Sequence, residues 1–124
     1  MFKKFLMLGS INAFLAVSLG AFGAHVLKER LTTDMLAVFQ TGVQYQMYHA
    51  FALILVALLT KQFSDSASVG RSGWLFLIGI ILFSGSLYAL SLSGIKILGA
   101  ITPLGGIAFL AGWFLLVWEA CKKS

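Results

Sequence analysis

The residues best suited to chemistry lie in one run, Thr41-Gly-Val-Gln-Tyr-Gln-Met-Tyr-His-Ala50. Two glutamines, two tyrosines and a histidine stand at the mouth of an apolar segment that continues through Phe51-Ala-Leu-Ile-Leu-Val-Ala-Leu-Leu59. An imidazole can ligate a metal or relay a proton. Amides and phenols supply hydrogen bonds that hydrocarbon cannot. Two readings of the run are open. In one it forms an interhelical hydrogen-bond cluster, with Asn12 and the hydroxyls of Ser84, Ser86 or Tyr88 as partners. In the other, Tyr45, Gln46 and His49, together with Asn12 and His25, line a small outward-facing pocket for a lipid headgroup or polar solute.

His25 and His49 are the candidate metal or haem ligands. A haem held between them needs both at one depth. Counted from Phe5 and Thr60, His25 lies 20 residues along its span and His49 lies 11. At ~1.5 Å per residue the offset is ~13 Å, which disfavours a shared haem. Zinc asks for three or four ligands, and Cys121, the single cysteine, sits at the wrong end. No cofactor or metal is therefore expected. Proton-coupled transport would want an acid within the bilayer. Glu29, Asp34, Asp65 and Glu119 are instead read as terminal or in loops. No serine, histidine and carboxylate form a recognisable catalytic motif, so no enzyme is expected.

These residues need elements to hold them, and composition says which kind. Of 124 residues, 60% are hydrophobic and 10% charged, whereas soluble domains carry about 25% charged residues. A chain this short cannot bury so much apolar surface within itself; a lipid bilayer can cover it. The nine Lys and Arg that give the net charge of +5 lie at segment ends. That pattern fits topogenic charge and anionic lipid, not nucleic acid. The expected fold is an all-α integral membrane domain of four transmembrane helices packed as a bundle, with spans near 5–25, 41–60, 74–92 and 97–118.

The first span follows Lys3 and Lys4 and is read as an uncleaved helix, because its ~20 apolar residues are long enough to cross hydrocarbon. Gly9, Ala13, Ala16, Gly20 and Gly23 recur at spacings of three and four, a stripe that lets a neighbouring helix approach closely. Thr32, Thr33 and Asp34 are good caps for a second helix. Its residues 34–60 would reach ~40 Å, so an amphipathic extension should precede the second span. Residues 61–73, with four serines, Asp65, Gly70 and Arg71, read as a polar turn. Trp74 opens the third span, whose Ser84 and Ser86 are expected to bond back to the preceding turn. Pro103 either kinks the last helix or begins it after a cap at Thr102. Gly105, Gly106 and Gly112 offer a second close-packing surface, and Trp113 and Trp118 approach the closing interface.

Lys3, Lys4, Lys61, Arg71, Lys122 and Lys123 stand against Lys28, Arg30 and Lys96. The positive-inside rule then puts both termini in the cytoplasm. Gly20-Ala-Phe-Gly-Ala-His25, Gln46-Met-Tyr-His-Ala50, Phe83-Ser-Gly-Ser-Leu-Tyr88, Thr102-Pro-Leu-Gly-Gly106 and Gly112-Trp113 together resemble the YwdK/YgdD-type family of small bacterial membrane proteins. This is a domain-of-unknown-function family with distant eukaryotic relatives, and the resemblance covers nearly the whole chain. It implies a multi-pass protein of the bacterial cytoplasmic membrane and carries over no activity, substrate or catalytic residue.

The first functional reading is a non-enzymatic scaffold or accessory subunit in the lipid bilayer, with a membrane-protein partner or a second copy of the chain. The second is a small transporter or channel opening near His49. The third is a haem or metal protein.

Overall fold

A computed structural model of the chain describes residues 1–64 and 66–123, Lys123 by its backbone alone. The expected position of Asp65 in a turn, and the Lys123 side chain, lie outside the described residues. Four helical segments are long and apolar enough to cross a membrane, and among the described residues there is no strand.

Helix α1 covers Phe2–His25, and a short 3-10 turn, Leu27–Glu29, follows it. Helix α2 covers Thr33–Gln62 and runs through Gly42 without interruption. Thr32 caps it: its Oγ1 accepts the Met35 N–H at 3.1 Å. Its 30 residues reach ~45 Å, longer than the ~30 Å hydrocarbon core. The extension before the second span is therefore the first turns of the same helix.

The third span begins earlier than its sequence suggests. Residues 61–73 do not form one loop: α2 continues to Gln62 and helix α3 covers Ala67–Gly79. Ser66 caps α3, its Oγ accepting the Val69 N–H at 3.4 Å. Gly70 and Gly73 are contact positions. A Cβ on Gly73 would lie 2.5 Å from the Phe5 ring, and one on Gly70 would lie 3.0 Å from Met1 Cε. Glycine and serine are poor helix formers in water, but membrane helices use them where backbones meet.

A π-helical turn, Ile80–Ser84, joins α3 to helix α4, Gly85–Ser93. Gly94, at φ 75°, closes α4 in the left-handed region that only glycine enters without strain. A 3-10 turn, Lys96–Ala100, leads into helix α5, Thr102–Lys123. Pro103 sits in the first turn of α5, where a missing N–H leaves no bond unmade. Of its two sequence readings, the helix start is the one observed, but Thr102 is the first helical residue and not the cap, its hydroxyl bonding Ser86.

The α1 stripe faces α2. A Cβ on Gly9 would lie 2.7 Å from Ile54 Cγ1, one on Gly20 3.3 Å from Val43, and one on Gly23 3.0 Å from Phe39. At the other side, α5 lies on the third span. A Cβ on Gly105 would lie 2.7 Å from the Phe83 Cα, and one on Gly112 2.7 Å from the Phe76 ring. Helix α2 and the third span are thus the central pair, with α1 and α5 flanking them. Between helices in lipid, this dispersion packing stands in for a hydrophobic driving force. The buried apolar cluster of Phe5, Leu53, Val56, Phe76 and Phe109 joins all four segments.

Candidate functional site

The polar residues of the spans separate into two groups on either side of α2. The first is a chain of three side chains. Gln46 Nε2 donates to Asn12 Oδ1 at 3.0 Å, and the Tyr88 hydroxyl donates to Gln46 Oε1 at 2.6 Å. Asn12 Nδ2 donates in turn to the Leu8 carbonyl, four residues back, at 2.8 Å. Gln46 therefore ties α1, α2 and α4 together. Gly42, one turn before it, admits the Tyr88 ring; a Cβ there would lie 2.8 Å from Tyr88 Cε1.

The second group is centred on His49, which is 5% exposed. Its Nδ1 lies 2.9 Å from the Tyr45 carbonyl, and the Trp113 indole N–H donates to its Nε2 at 3.1 Å. A carbonyl only accepts, so Nδ1 carries the proton; Nε2 accepts, so it carries none. The ring is stacked on Phe109, with centroids 3.5 Å apart and planes 9° apart. Tyr45 packs on Phe83 at 4.6 Å. A lateral groove of about 430 Å³ runs beside Tyr45, His49, Phe83 and Gly106.

Five sequence candidates thus fall into three places. Asn12 and Gln46 belong to the first group, Tyr45 and His49 to the second, and His25 to neither. His25 is exposed at the end of α1. The nearby Gly23 packs against Phe39, ten residues or ~15 Å along α2 from His49. The candidates do not line one shared pocket.

Of the expected hydroxyl partners, Tyr88 joins the Gln46 network. Ser84 Oγ donates across to the Gly42 carbonyl at 2.7 Å, not back to its own preceding turn. Ser86 Oγ donates back to the Phe83 carbonyl at 2.9 Å and lies 2.5 Å from Thr102 Oγ1, which donates to it. Trp113, expected at an interface, reaches His49 within the bundle. Tyr45/His49 and Phe109/Trp113 are both spaced i, i+4, and that shared periodicity is the signal that could have paired the two faces.

Glu119, expected at a terminus or in a loop, lies in α5 and is 2% exposed. It accepts a hydrogen bond from Ser66 Oγ, and Lys122 Nζ lies 3.4 Å from the same oxygen. Ser66 is the cap of α3, so the carboxylate sits at a helix N-terminus, where the backbone dipole favours negative charge. Among the described residues, no three of His, Cys, Asp and Glu come together as metal ligands.

A family model described as "Protein of unknown function (DUF423)" matches residues 19–106. The chain is 56% identical over 120 residues to the UPF0382 membrane protein YwdK of Bacillus subtilis, covering 97% of this chain and 98% of the relative. The chain belongs to the DUF423 family. A UPF0382 membrane protein of Staphylococcus epidermidis is 45% identical over 120 residues, 97% of each chain. One of Staphylococcus saprophyticus is 46% identical over 115 residues, 93% of this chain and 94% of the relative. No solved structure matches. The DUF423 match contains Gln46, His49 and Tyr88, while their partners Asn12 and Trp113 lie outside its bounds. The DUF423 relatives are named as bacterial membrane proteins, in keeping with four apolar spans.

Proposed function

We propose that this DUF423 protein is a non-enzymatic accessory subunit or scaffold of the bacterial cytoplasmic membrane, with both termini in the cytoplasm. The observation that carries the reading is the pairing of His49. Both ring nitrogens are occupied, one by its own helix and one by α5. A histidine committed on both sides serves helix association, since polar groups in lipid must find partners within the protein. Gln46 is committed in the same way, to α1 and α4. The orientation rests on charge: the start of α1, the end of α5 and the facing ends of α2 and α3 carry Lys3, Lys4, Lys61, Arg71, Lys122 and Lys123, most of the Lys and Arg.

Native mass spectrometry from mild detergent tests the role. A fixed stoichiometry with a second membrane protein, or with further copies of the chain, is expected, and His49→Gln should keep it. A monomer without a partner, together with solute flux in proteoliposomes that His49→Gln abolishes, would overturn the reading in favour of transport. Reporter fusions test the orientation. A cytoplasmic reporter should be active at the C-terminus and silent after Lys96.

A further inference from the structure

Where α1 begins and α2 ends, the bundle holds a cleft of about 290 Å³, whose lining includes Met1, Phe2, Thr60, Lys61, Phe63 and Ser64. Lys61 Nζ stands 4.1 Å over the Phe2 ring. A ring face attracts an ammonium but leaves its charge and its three N–H donors in place. Lys61 has no ion-pair partner among the described residues. Glu119, the described acid at this end, is held by Ser66 and Lys122. Lys3 and Lys4 follow Phe2, and Arg71 lies in the second turn of α3. The first turn of α1 carries no acid, so its N–H groups add to the positive potential. The cleft is thus a polar recess with a cation on its wall, at the positive end of the molecule.

Depth decides what carries the anion. Lys4 Nζ lies 5.4 Å from the centre of the Trp74 ring at this same end, and tryptophans gather at the level of lipid headgroups. Phe2 and Lys61 stand in the first turn of α1 and the last turn of α2. One turn farther into the bundle, Leu6 and Leu58 are 38% and 57% exposed. An occupant therefore meets a cation at headgroup level and open apolar surface beneath it. A phosphate diester bearing acyl chains matches both parts, whereas a free phosphate matches only the first. Basic recesses between helix ends are where anionic headgroups bind.

We propose that this cleft binds the phosphate of an anionic phospholipid, with Lys61 and Ser64 donating to its oxygens and the acyl chains running past Leu6 and Leu58. The inference needs no choice of which side of the membrane this end faces, and it stands apart from the accessory-subunit reading.

The test titrates the full chain in mild detergent with dioleoyl phosphatidylglycerol, with dioleoyl phosphatidylcholine and with inorganic phosphate, and counts bound ligand by native mass spectrometry. One phosphatidylglycerol per chain should bind about tenfold more tightly than phosphatidylcholine, the scale of one charge-assisted hydrogen bond. Inorganic phosphate should not displace it. Lys61→Gln should abolish the preference. Lys4→Gln removes the same charge at the same end, from a side chain on Trp74, and should keep it; so should Lys96→Gln at the other end. If Lys61→Gln does not fold, Ser64→Phe decides, because it fills the cleft from an exposed position. Equal binding of the two lipids, equal loss in Lys61→Gln and Lys4→Gln, full preference in Ser64→Phe, or displacement by inorganic phosphate would each overturn the proposal. None of these results touches partner stoichiometry, so the two readings fail separately.

Discussion

The Trp113 indole donates its N–H to Nε2 of His49 at 3.1 Å, and this bond makes His49 a neutral imidazole with its proton on Nδ1. Helix α5 thereby reads the tautomer of a residue on α2. Nitrogen-15 NMR of the protein in micelles at neutral pH should show a protonated Nδ1 and a bare Nε2. The opposite tautomer would break both bonds.

Removing the indole donor should be felt. Trp113→Phe keeps an aromatic side chain against Phe76 but leaves Nε2 without its partner. The expected loss is about 1–3 kcal/mol, the cost of an unsatisfied buried acceptor. His49→Gln should lose less than His49→Leu, because an amide oxygen can still accept from Trp113. Thermal unfolding in one detergent gives this order; equal losses for Gln and Leu would mean that the ring serves by shape alone.

Gln46 bridges two helices, so its removal orphans two partners at once. Gln46→Leu should destabilise more than Asn12→Leu or Tyr88→Phe, each of which breaks one bond of the pair. Interhelical hydrogen bonds in membranes are worth about 0.6–2 kcal/mol. A double-mutant cycle between positions 12 and 46 should show a coupling of that order. Additive losses would place the two amides out of contact.

The glycines of α1 rank by the space around them. Gly9→Ala pushes a methyl to 2.7 Å from Ile54 and 2.8 Å from the Ala50 carbonyl oxygen, while Gly20→Ala meets only Val43 at 3.3 Å. Gly9→Ala should cost about 1–3 kcal/mol, as overpacking does, and Gly20→Ala much less. Phe14→Leu, on the 72% exposed face, should be neutral. Unfolding midpoints across the three variants decide the matter.

On α5, two adjacent glycines should behave in opposite ways. A Cβ on Gly105 runs into the Phe83 backbone, which cannot rotate aside, whereas Gly106 has nothing within 4 Å. Gly105→Ala should lower the yield of folded protein and the melting temperature. Gly106→Ala should match the parent or exceed it slightly, by reducing unfolded-chain entropy. The same response at both positions would place α5 in a different rotation about its axis.

Some of this was legible in the chain because it depends on local, additive properties. Four apolar stretches, their charged ends and the small-residue stripe from Gly9 to Gly23 follow from hydropathy and spacing alone. The Thr32 cap follows from the backbone preference of a single residue. The amide network was half legible: a glutamine in lipid must find a partner, and Asn12 and Tyr88 were among few available. Other features depend on how helices rotate against one another, which no single segment encodes. Gly70 and Gly73 read as loop until Met1 and Phe5 are seen lying across them. The π turn at Ile80–Ser84 contains the Phe83 backbone that Gly105 approaches and Ser84, which reaches the Gly42 carbonyl. Only the assembled bundle sets Gln46 toward α1 and α4 and His49 toward α5. Residues three apart on a helix point about 60° apart, enough on α2 for each to meet a different neighbour.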